Sequence, residues 1–345
     1  MGEGVTRDHV AERAGVSAAV VSYVINDGPR GVAPETRARV LSAIQDLGYR
    51  PNHLARSLRS RRTRTLGLIV PDAANPFYSE VAKGIEEESY QRGYSLTVGN
   101  TSDSAERRSS YVESFVSRQV DAVFYDSTGV SLEEVELLER YGVLAVYMGT
   151  ADEIDDAIGD RIPSVTIDTR PGGQAVGRHF LERGHRKMAC IMGSQATSPT
   201  EQRPWARIEG FLDALRSVGL AAPVVWAGEH PEDGYRVAAE LLGGADPPTA
   251  IFAANDLLAI GAIRRALDLA RRVPDDVAVC GFDDIAISSY VAPRLTTVRI
   301  PKVAMGRSAA RIVLMALEGP PRDMRRLSFP ERPDLAVELV VRDST

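Results

Sequence analysis

The sequence predicts a small all-α headpiece followed by an α/β body of two lobes, each built on a doubly wound parallel sheet. Three observations predict it. Helical periodicity with dense punctuation fills the first fifty residues, and apolar runs of strand length then alternate with helical segments through most of the remainder. The charge is also divided between the two regions. Residues 1–64 hold 11 Lys/Arg and 6 Asp/Glu, net +5, and the rest holds 30 and 41, net −11. The total of −6 therefore conceals a basic head on an acidic body, the asymmetry of a nucleic-acid-binding segment fused to something else. At 345 residues the chain is too long for one ordinary core and suggests two or three domains.

In the headpiece, Val10, Ala11 and Ala14 recur at helical spacing, with Thr6 able to cap the start and Asp8 in the first turn. Gly15 can take the left-handed conformation that ends a helix, because it has no Cβ to clash. Ser17 can cap a second segment whose apolar stripe is Val20, Val21, Val24 and Ile25. On these residues alone a plain αα-hairpin and a helix-turn-helix, whose second helix enters a DNA major groove, fit equally well. A third helix begins at Pro34, shows Val40, Leu41, Ile44 and Leu47 as its apolar face, and stops at Gly48. Three such short helices bury little surface, so the headpiece should be marginally stable by itself.

Residues 49–64, YRPNHLARSLRSRRTR, hold six arginines (50, 56, 59, 61, 62 and 64), and no acid occurs between Asp46 and Asp72. Pro51 can open a short helix with Leu54, Ala55 and Leu58 on one side. Two turns do not form stably alone in water, so the segment reads as a solvated linker unless a phosphate backbone orders it through counterion release.

From Thr65 the runs TLGLIV (65–70), YSLTVGN (94–100), DAVFY (121–125), LAVYM (144–148), SVTID (164–168), KMACIMG (187–193), VVWAG (224–228), AIFAAN (250–255) and VAVCGF (277–282) read as strands. Helical periodicity separates most of them, at 77–91, 104–118, 171–183, 203–219, 234–242 and 256–271. Such alternation implies right-handed crossovers and parallel sheets covered on both faces. This many strands exceeds what one such sheet usually carries, hence two lobes. LTTVRI (295–300), a helical 302–318, LSF (327–329) and AVELVV (336–341) follow, and they can cross back between lobes. Several crossovers make a hinge with a cleft, and ligands of α/β sheets bind at the carboxyl ends of strands.

Several function classes are disfavoured. No G-x-S-x-G elbow, H-E-x-x-H or P-loop occurs, Gly172-Gly173-x-x-x-Gly177 lacks the dinucleotide spacing, and His9, His53, His179, His185 and His230 show no ligand spacing. Neither an enzyme, a metal nor a cofactor is expected. Cys190 and Cys280 sit in apolar runs and read as buried reduced thiols. The opening MGEGVTRDHV has no apolar targeting core, and no run approaches about 18 apolar residues. The expectation is a cytoplasmic, nucleoid-associated protein without membrane contact. A solute-binding protein of a transporter would share the two-lobe fold but not the basic head.

Taken in order, VTRDHVAERAGVSAAVVSYVIN, RPNHLARSL, GLIVPDAANPFYSEVAKGIEEE, AANDLLAIGAI and GFDD resemble a LacI/GalR-type bacterial transcriptional regulator, from about Val5 to the last residues. The resemblance implies a helix-turn-helix headpiece (1–50), a hinge helix and linker (51–64), and a periplasmic-binding-protein-like effector domain. Its N-terminal lobe would be 65–168 plus about 301–331, and its C-terminal lobe 169–300 plus about 332–345. It further implies a homodimer on near-palindromic double-stranded operator DNA, controlled by a small-molecule effector such as a sugar or nucleoside. No leucine heptad follows Arg342, so a dimer is expected over a coiled-coil tetramer.

Carried over by position, Thr6, Ser17, Ala18, Ala19, Ser22 and Tyr23 face the major groove. Relatives commonly place a polar residue at 19 and an arginine at 23. Tyr23 cannot make an arginine's bidentate bonds to guanine, and the two alanines can only meet thymine methyls, so direct readout is expected to be lean. In the hinge, Asn52, Ala55 and Leu58 reach the minor groove, with Leu58 the wedge that kinks the duplex, and Arg56 and Arg59 contact phosphates. In the cleft, Asn75 and Phe77 come from the first lobe and Arg207, Asn255 and Asp283 from the second. Where relatives often place a cleft aromatic, in 228–234, Glu229 and His230 stand instead.

Overall fold

The structure is a computed structural model that describes residues 5–26, 31–49, 62–126, 129–150, 156–193, 205–319 and 335–345. It divides into two units, Met1–Thr63 and Arg64–Thr345.

The first unit contains α1 (Arg7–Ala14), α2 (Ala18–Asn26) and α3 (Pro34–Leu47). Thr6 caps α1, its hydroxyl accepting from His9 N at 3.4 Å while His9 Nδ1 accepts from Thr6 N at 3.3 Å. Gly15, at φ +63°, closes α1 by donating its N–H to the Ala11 and Glu12 carbonyls. Two residues later Ser17 Oγ accepts from Val20 N. The two helices therefore meet across a turn short enough to hold them at a fixed angle. Val10, Ala11, Ala14, Val21, Val24, Val40 and Ala43 form the core. One expected core residue does not belong to it: Leu41 is 50% exposed. The buried stripe of α3 steps through Val40, Ala43, Ile44 and Leu47, and Leu41 lies one helical step, about 100°, off that face.

In the second unit β1 (Thr65–Val70), β2 (Ser95–Asn100), β3 (Ala122–Tyr125), β4 (Leu144–Thr150) and β5 (Ser164–Ile167) form a parallel sheet in the order β2-β1-β3-β4-β5. A second parallel sheet, β7-β6-β8-β9, uses β6 (Met188–Gly193), β7 (Val224–Ala227), β8 (Ala250–Ala253) and β9 (Ala278–Cys280). Parallel bridges Cys280–Thr296 and Asp283–Arg299 extend its β9 edge. The two sheets thus repeat one strand order. The apolar runs become the strands, trimmed or extended by a residue or two. LSF (327–329) lies outside the described residues.

The helices of the first lobe are α4 (Pro76–Tyr90), α5 (Ala105–Ser117), α6 (Leu132–Arg140) and the short α7 (Asp156–Gly159). Those of the second are α8 (Arg170–Glu182), α9 (Ala206–Arg216), α10 (Pro231–Gly243) and α11 (Asp256–Asp268). Helix α6 has no counterpart in the periodicity reading, although its start signal is present: Ser131 Oγ accepts from Glu134 N, and Glu134 Oε2 from Ser131 N, a reciprocal cap. Helix α12 (Lys302–Glu318) returns to the first lobe and packs on α4, β4 and β5. The antiparallel pair β10 (Thr297–Arg299) and β11 (Glu338–Val340) stands beside the second.

Each sheet is covered on both faces, which is why its strands read as unbroken apolar runs. One core under α4 and α12 continues through Val298, Ile300 and Met305 into the core under α8 and α9. The outer faces have separate cores, under α5 and α6 in one lobe and α10 and α11 in the other. Cys190 and Cys280 are buried and free. At several helix crossings glycine is required by space. A Cβ on Gly84 would lie 2.1 Å from the Val303 carbonyl oxygen, and one on Gly306 2.2 Å from that of Val81. In the second lobe the equivalents are Gly173, 1.7 Å from Arg207 O, and Gly210, 2.1 Å from Arg170 O. No helix among the described residues is long and apolar enough to cross a membrane.

Candidate functional site

A cleft of about 660 Å³, measured with its open mouth, lies between the lobes of the second unit. It sits at the carboxyl ends of both sheets, beside the point in the first where β1 and β3 are neighbours and successive crossovers diverge. From the first lobe come Asn75, Phe77 and Tyr78 after β1, Asp126 after β3, Tyr147–Thr150 at the end of β4 and Ile167 closing β5. From the second come Trp205 and Arg207 at the start of α9, Glu229 after β7, Asn255 after β8 and Asp283 after β9. All five residues expected in the cleft, Asn75, Phe77, Arg207, Asn255 and Asp283, line this one cavity.

Two of them have a second task. Asn75 Oδ1 accepts from Phe77 N at 3.0 Å and caps α4, and Asn255 Oδ1 accepts from Leu258 N at 2.8 Å and caps α11. Capping engages the amide oxygen of each and leaves its NH₂ to donate elsewhere. Asn255 Nδ2 reaches the Glu229 carbonyl at 3.4 Å. Phe77 is half-buried and meets Tyr78 edge to face, ring centres 5.1 Å apart.

Arg207 is the most constrained group in the site. Its guanidinium carbon lies 4.3 Å from the centre of the Phe282 ring and 5.1 Å from that of Trp205, within cation–π range. Nη1 donates to Ala254 O at 2.8 Å and to Asp283 Oδ1 at 3.3 Å. Both partners are buried. Arg207 Nε in the second-lobe wall and the hydroxyl of buried Thr150 in the first-lobe wall are both enclosed with no hydrogen-bond partner.

Asp283 is itself held from behind. Lys302, at the first position of α12 and only 3% exposed, donates Nζ to the carbonyl of Asp283 and, at 3.0 Å, to that of Asp284; it lies 3.5 Å from Glu80 Oε2 on α4. Asp283 adopts φ +114°, a region costly for a residue with a Cβ, and these contacts hold it there. Burial pushes its carboxyl up to about 6 against the pull of Arg207 and Lys302. Asp256, fully buried, accepts from Ser288 Oγ at 2.7 Å, from Ile285 N at 2.8 Å and from Thr297 Oγ1. Burial, and then the charge of Asp283, push it up to about 7. It is a pin for the loop carrying Asp283 and does not line the cleft. At the mouth, His230 Nδ1 is 3.9 Å from Asp72 Oδ2, a contact from one lobe to the other. Asp103 beside them is raised by burial and by Asp72.

Trp205, Tyr147, Asp126 and Thr150 were not reached by sequence reasoning. Trp205 answers the departure at 228–234: the aromatic in the cleft lining comes from the N-cap of α9. A Cβ on Gly193 would meet Glu229 Cγ at 2.9 Å and the Trp205 ring at 3.1 Å. The signal was its position two residues before Arg207. Among the described residues, no three or more His, Cys, Asp or Glu are grouped to hold a metal.

In the first unit, Thr6, Ser17 and Ala19 are exposed, and Ser22 and Tyr23 are partly so. Ala18 rests partly on the headpiece core. Asn52, Ala55, Arg56, Leu58 and Arg59 lie outside the described residues.

A helix-turn-helix unit joined to a two-lobed, periplasmic-binding-protein-like unit with a cleft defines the class of ligand-binding DNA-binding proteins. The family described as "Bacterial regulatory proteins, lacI family" matches residues 7–52, and a periplasmic binding protein-like domain matches 178–345. The chain is 34% identical over 340 residues to the HTH-type transcriptional repressor PurR of Haemophilus influenzae (strain PittEE), covering 97% of each. It is similar to the transcriptional regulator CelR in complex with cellobiose, at 31% identity and a TM-score of 0.69 over 99% of this chain and 100% of that one. It shares its fold with the lac repressor dimer bound to operator and the anti-inducer ONPF, at 24% identity and a TM-score of 0.82 over 99% of each. The chain belongs to the lacI family of bacterial regulatory proteins. It is a DNA-binding repressor of transcription and not an enzyme.

Proposed function

We propose that this repressor binds a near-palindromic operator as a cytoplasmic homodimer, and that a small-molecule effector of the sugar or nucleoside class, held in the cleft, controls the hinge helices. The observation that carries the reading is the convergence of Asn75 and Phe77 from one lobe with Arg207, Asn255 and Asp283 from the other on a single cavity. A ligand touching both walls favours one lobe arrangement over the other, and only such differential binding can shift operator affinity. The cellobiose bound to CelR supports the sugar class. Thr6, Ser17, Ala18, Ala19, Ser22 and Tyr23 serve the major groove in this reading. Asn52, Ala55 and Leu58 serve the minor groove, and Arg56 and Arg59 the phosphates.

Selection of DNA fragments by the purified protein, alone and with candidate sugars and nucleosides, tests it. An enriched near-palindrome whose recovery depends on a ligand is the expected result; no enrichment in any condition overturns the repressor reading. Coupling must be reciprocal, so operator DNA changes effector affinity by the same factor. Tyr23→Ala should alter base preference at one symmetric operator position, and an unchanged profile removes Tyr23 from direct readout.

A further inference from the structure

Resting on the cleft as the effector site, we propose that Asp284 is a positioning residue. Its carboxylate ties the loop that carries Asp283 to two segments that cross between the lobes, and so sets the lobe arrangement that the effector meets. The adjacent aspartates have different surroundings. Asp283 lines the cleft and pairs with Arg207, whereas neither Asp284 nor its two arginine partners line it. Both aspartates adopt left-handed backbone, φ +114° and +53°, which the contacts around them must hold.

The Asp284 carboxylate accepts from Arg342 Nη2 at 2.6 Å through Oδ1 and from Arg299 Nε at 2.8 Å through Oδ2. Arg299 ends β10, just before the chain enters α12 of the first lobe at Lys302. Arg342 follows β11, by which the chain has returned from α12 to the second lobe. One carboxylate thus joins a strand that leaves for the first lobe to a strand that comes back from it. The main chain adds to the grip. Asp283 N donates to Val298 O at 2.8 Å, and Asp284 N to Thr297 Oγ1 at 3.3 Å. Arg342 is anchored in turn, its Nη1 donating to Leu295 O at 2.7 Å.

Burial gives this contact its strength. The side chains of Asp284 and Arg342 are 9% and 12% exposed. Against the cost of burial, hydrogen bonds from Arg342 and Arg299 hold the Asp284 carboxyl below the usual carboxylate range. Charge-assisted bonds between such groups are strong, and removing one partner leaves the other buried and unpaired. The Arg294–Asp343 pair on the same segment has the same chemistry but is exposed, and solvent screens it. A ligand that displaces Asp283 acts one peptide link from Asp284. Rotation of the Asp284 side chain cannot absorb the displacement, because both of its oxygens are held.

The test needs no ligand. Cys190 and Cys280 are buried, so nitroxides attach only at Tyr141→Cys in the first lobe and Val218→Cys in the second, both exposed positions. The labelled full chain is mixed with excess unlabelled chain, and electron–electron double resonance reads the distance between lobes within one chain. Asp284→Asn should displace the distance distribution or at least double its width, and Arg342→Gln should do the same. The double variant should go no further than either single one, because both break one contact. Asp343→Asn should leave the distribution as in the parent chain. Thermal melts confirm folding; if Asp284→Asn does not fold, Arg299→Gln, at a half-exposed arginine, carries the same test. An unchanged distribution overturns the proposal, as does an equal change in Asp343→Asn or additive changes in the double variant. The reading of the cleft as effector site fails in a different way: cellobiose, ribose or adenosine binds, and Arg207→Ala leaves its affinity unchanged.

Discussion

The two lobes repeat one plan, and the same position in that plan carries opposite chemistry. Helix α4 follows β1 in the first lobe as α9 follows β6 in the second, and the second residue of each faces the cleft: Phe77 in one, Arg207 in the other. A helix N-terminus is the positive end of the helix dipole, so an aromatic ring there costs nothing while a guanidinium is opposed. The second lobe offsets this with the Asp283 carboxylate, the Ala254 carbonyl and two aromatic faces. The caps differ in the same sense: Asn75 bonds the first turn of α4, while Trp205 makes no side-chain cap at α9. The first lobe therefore offers mostly apolar cover, and the second holds fixed charge.

The largest expected effect comes from removing that charge. Arg207→Ala leaves buried Asp283 without its guanidinium, and breaking a buried pair costs about 3–5 kcal/mol. Chemical denaturation should show a loss of that order, with effector binding abolished; a loss below about 1 kcal/mol would mean that Asp283 is held by Lys302 alone. Next are Gly84→Ala and Gly173→Ala, each driving a Cβ into a facing backbone carbonyl, with overpacking costs of about 1–3 kcal/mol. Both should lower the melting temperature. Only Gly173→Ala displaces Arg207, so only it should also weaken the effector, and equal weakening by both breaks the comparison.

A pH dependence belongs to the second lobe. Asp256 and Asp283 are raised, to about 7 and about 6, above an unfolded value of about 3.9. The folded state then binds more protons than the unfolded chain between those values. Their contribution is fully present below about pH 4 and is lost as pH rises through 7, at no more than about 1.4 kcal/mol per pH unit for each group. Melting curves from pH 5 to 8 should show Asp256→Asn flattening this decline relative to the parent chain; an identical slope in both rules Asp256 out as its source. The smallest effect is expected at Phe77→Ala, half-buried and without charge. Stability should change by less than about 1 kcal/mol and effector affinity by a few-fold. A loss matching that of Arg207→Ala would give the first lobe an equal part in recognition.

Sequence alone reached the fold through periods that two-sided burial makes plain. Strands such as Leu66–Val70 and Met188–Gly193 are buried nearly throughout and read as unbroken apolar runs. The helix at Leu132–Arg140 was passed over although Ser131 marked its start and Val135 and Leu138 its buried face; at nine residues it is shorter than the other helices of that lobe's sheet faces that were read from periodicity. Leu41 was misplaced by counting it with its neighbour Val40, when helical geometry separates adjacent residues by about 100°. In the cleft, the residues legible in sequence were those embedded in recognisable strings, such as Arg207 in RIEGF and Asp283 in GFDD. Asp126 and Tyr147 had no such string. They enter the site only because their strands end at the same edge of one sheet, and sheet order is a long-range property that no local window records.

Lys302 gives the cleft a particular mechanics. Its ammonium has three donors on a freely turning bond, and it rests among three oxygens, two on the backbone of the second lobe and one on Glu80 of the first. Such a contact tolerates rotation but not separation, as a ball tolerates any angle within its socket. One side chain thereby ties the first turn of α12 and Glu80 in the first lobe to the backbone that carries Asp283 in the second, so the two walls of the cleft share a single charged joint at that point.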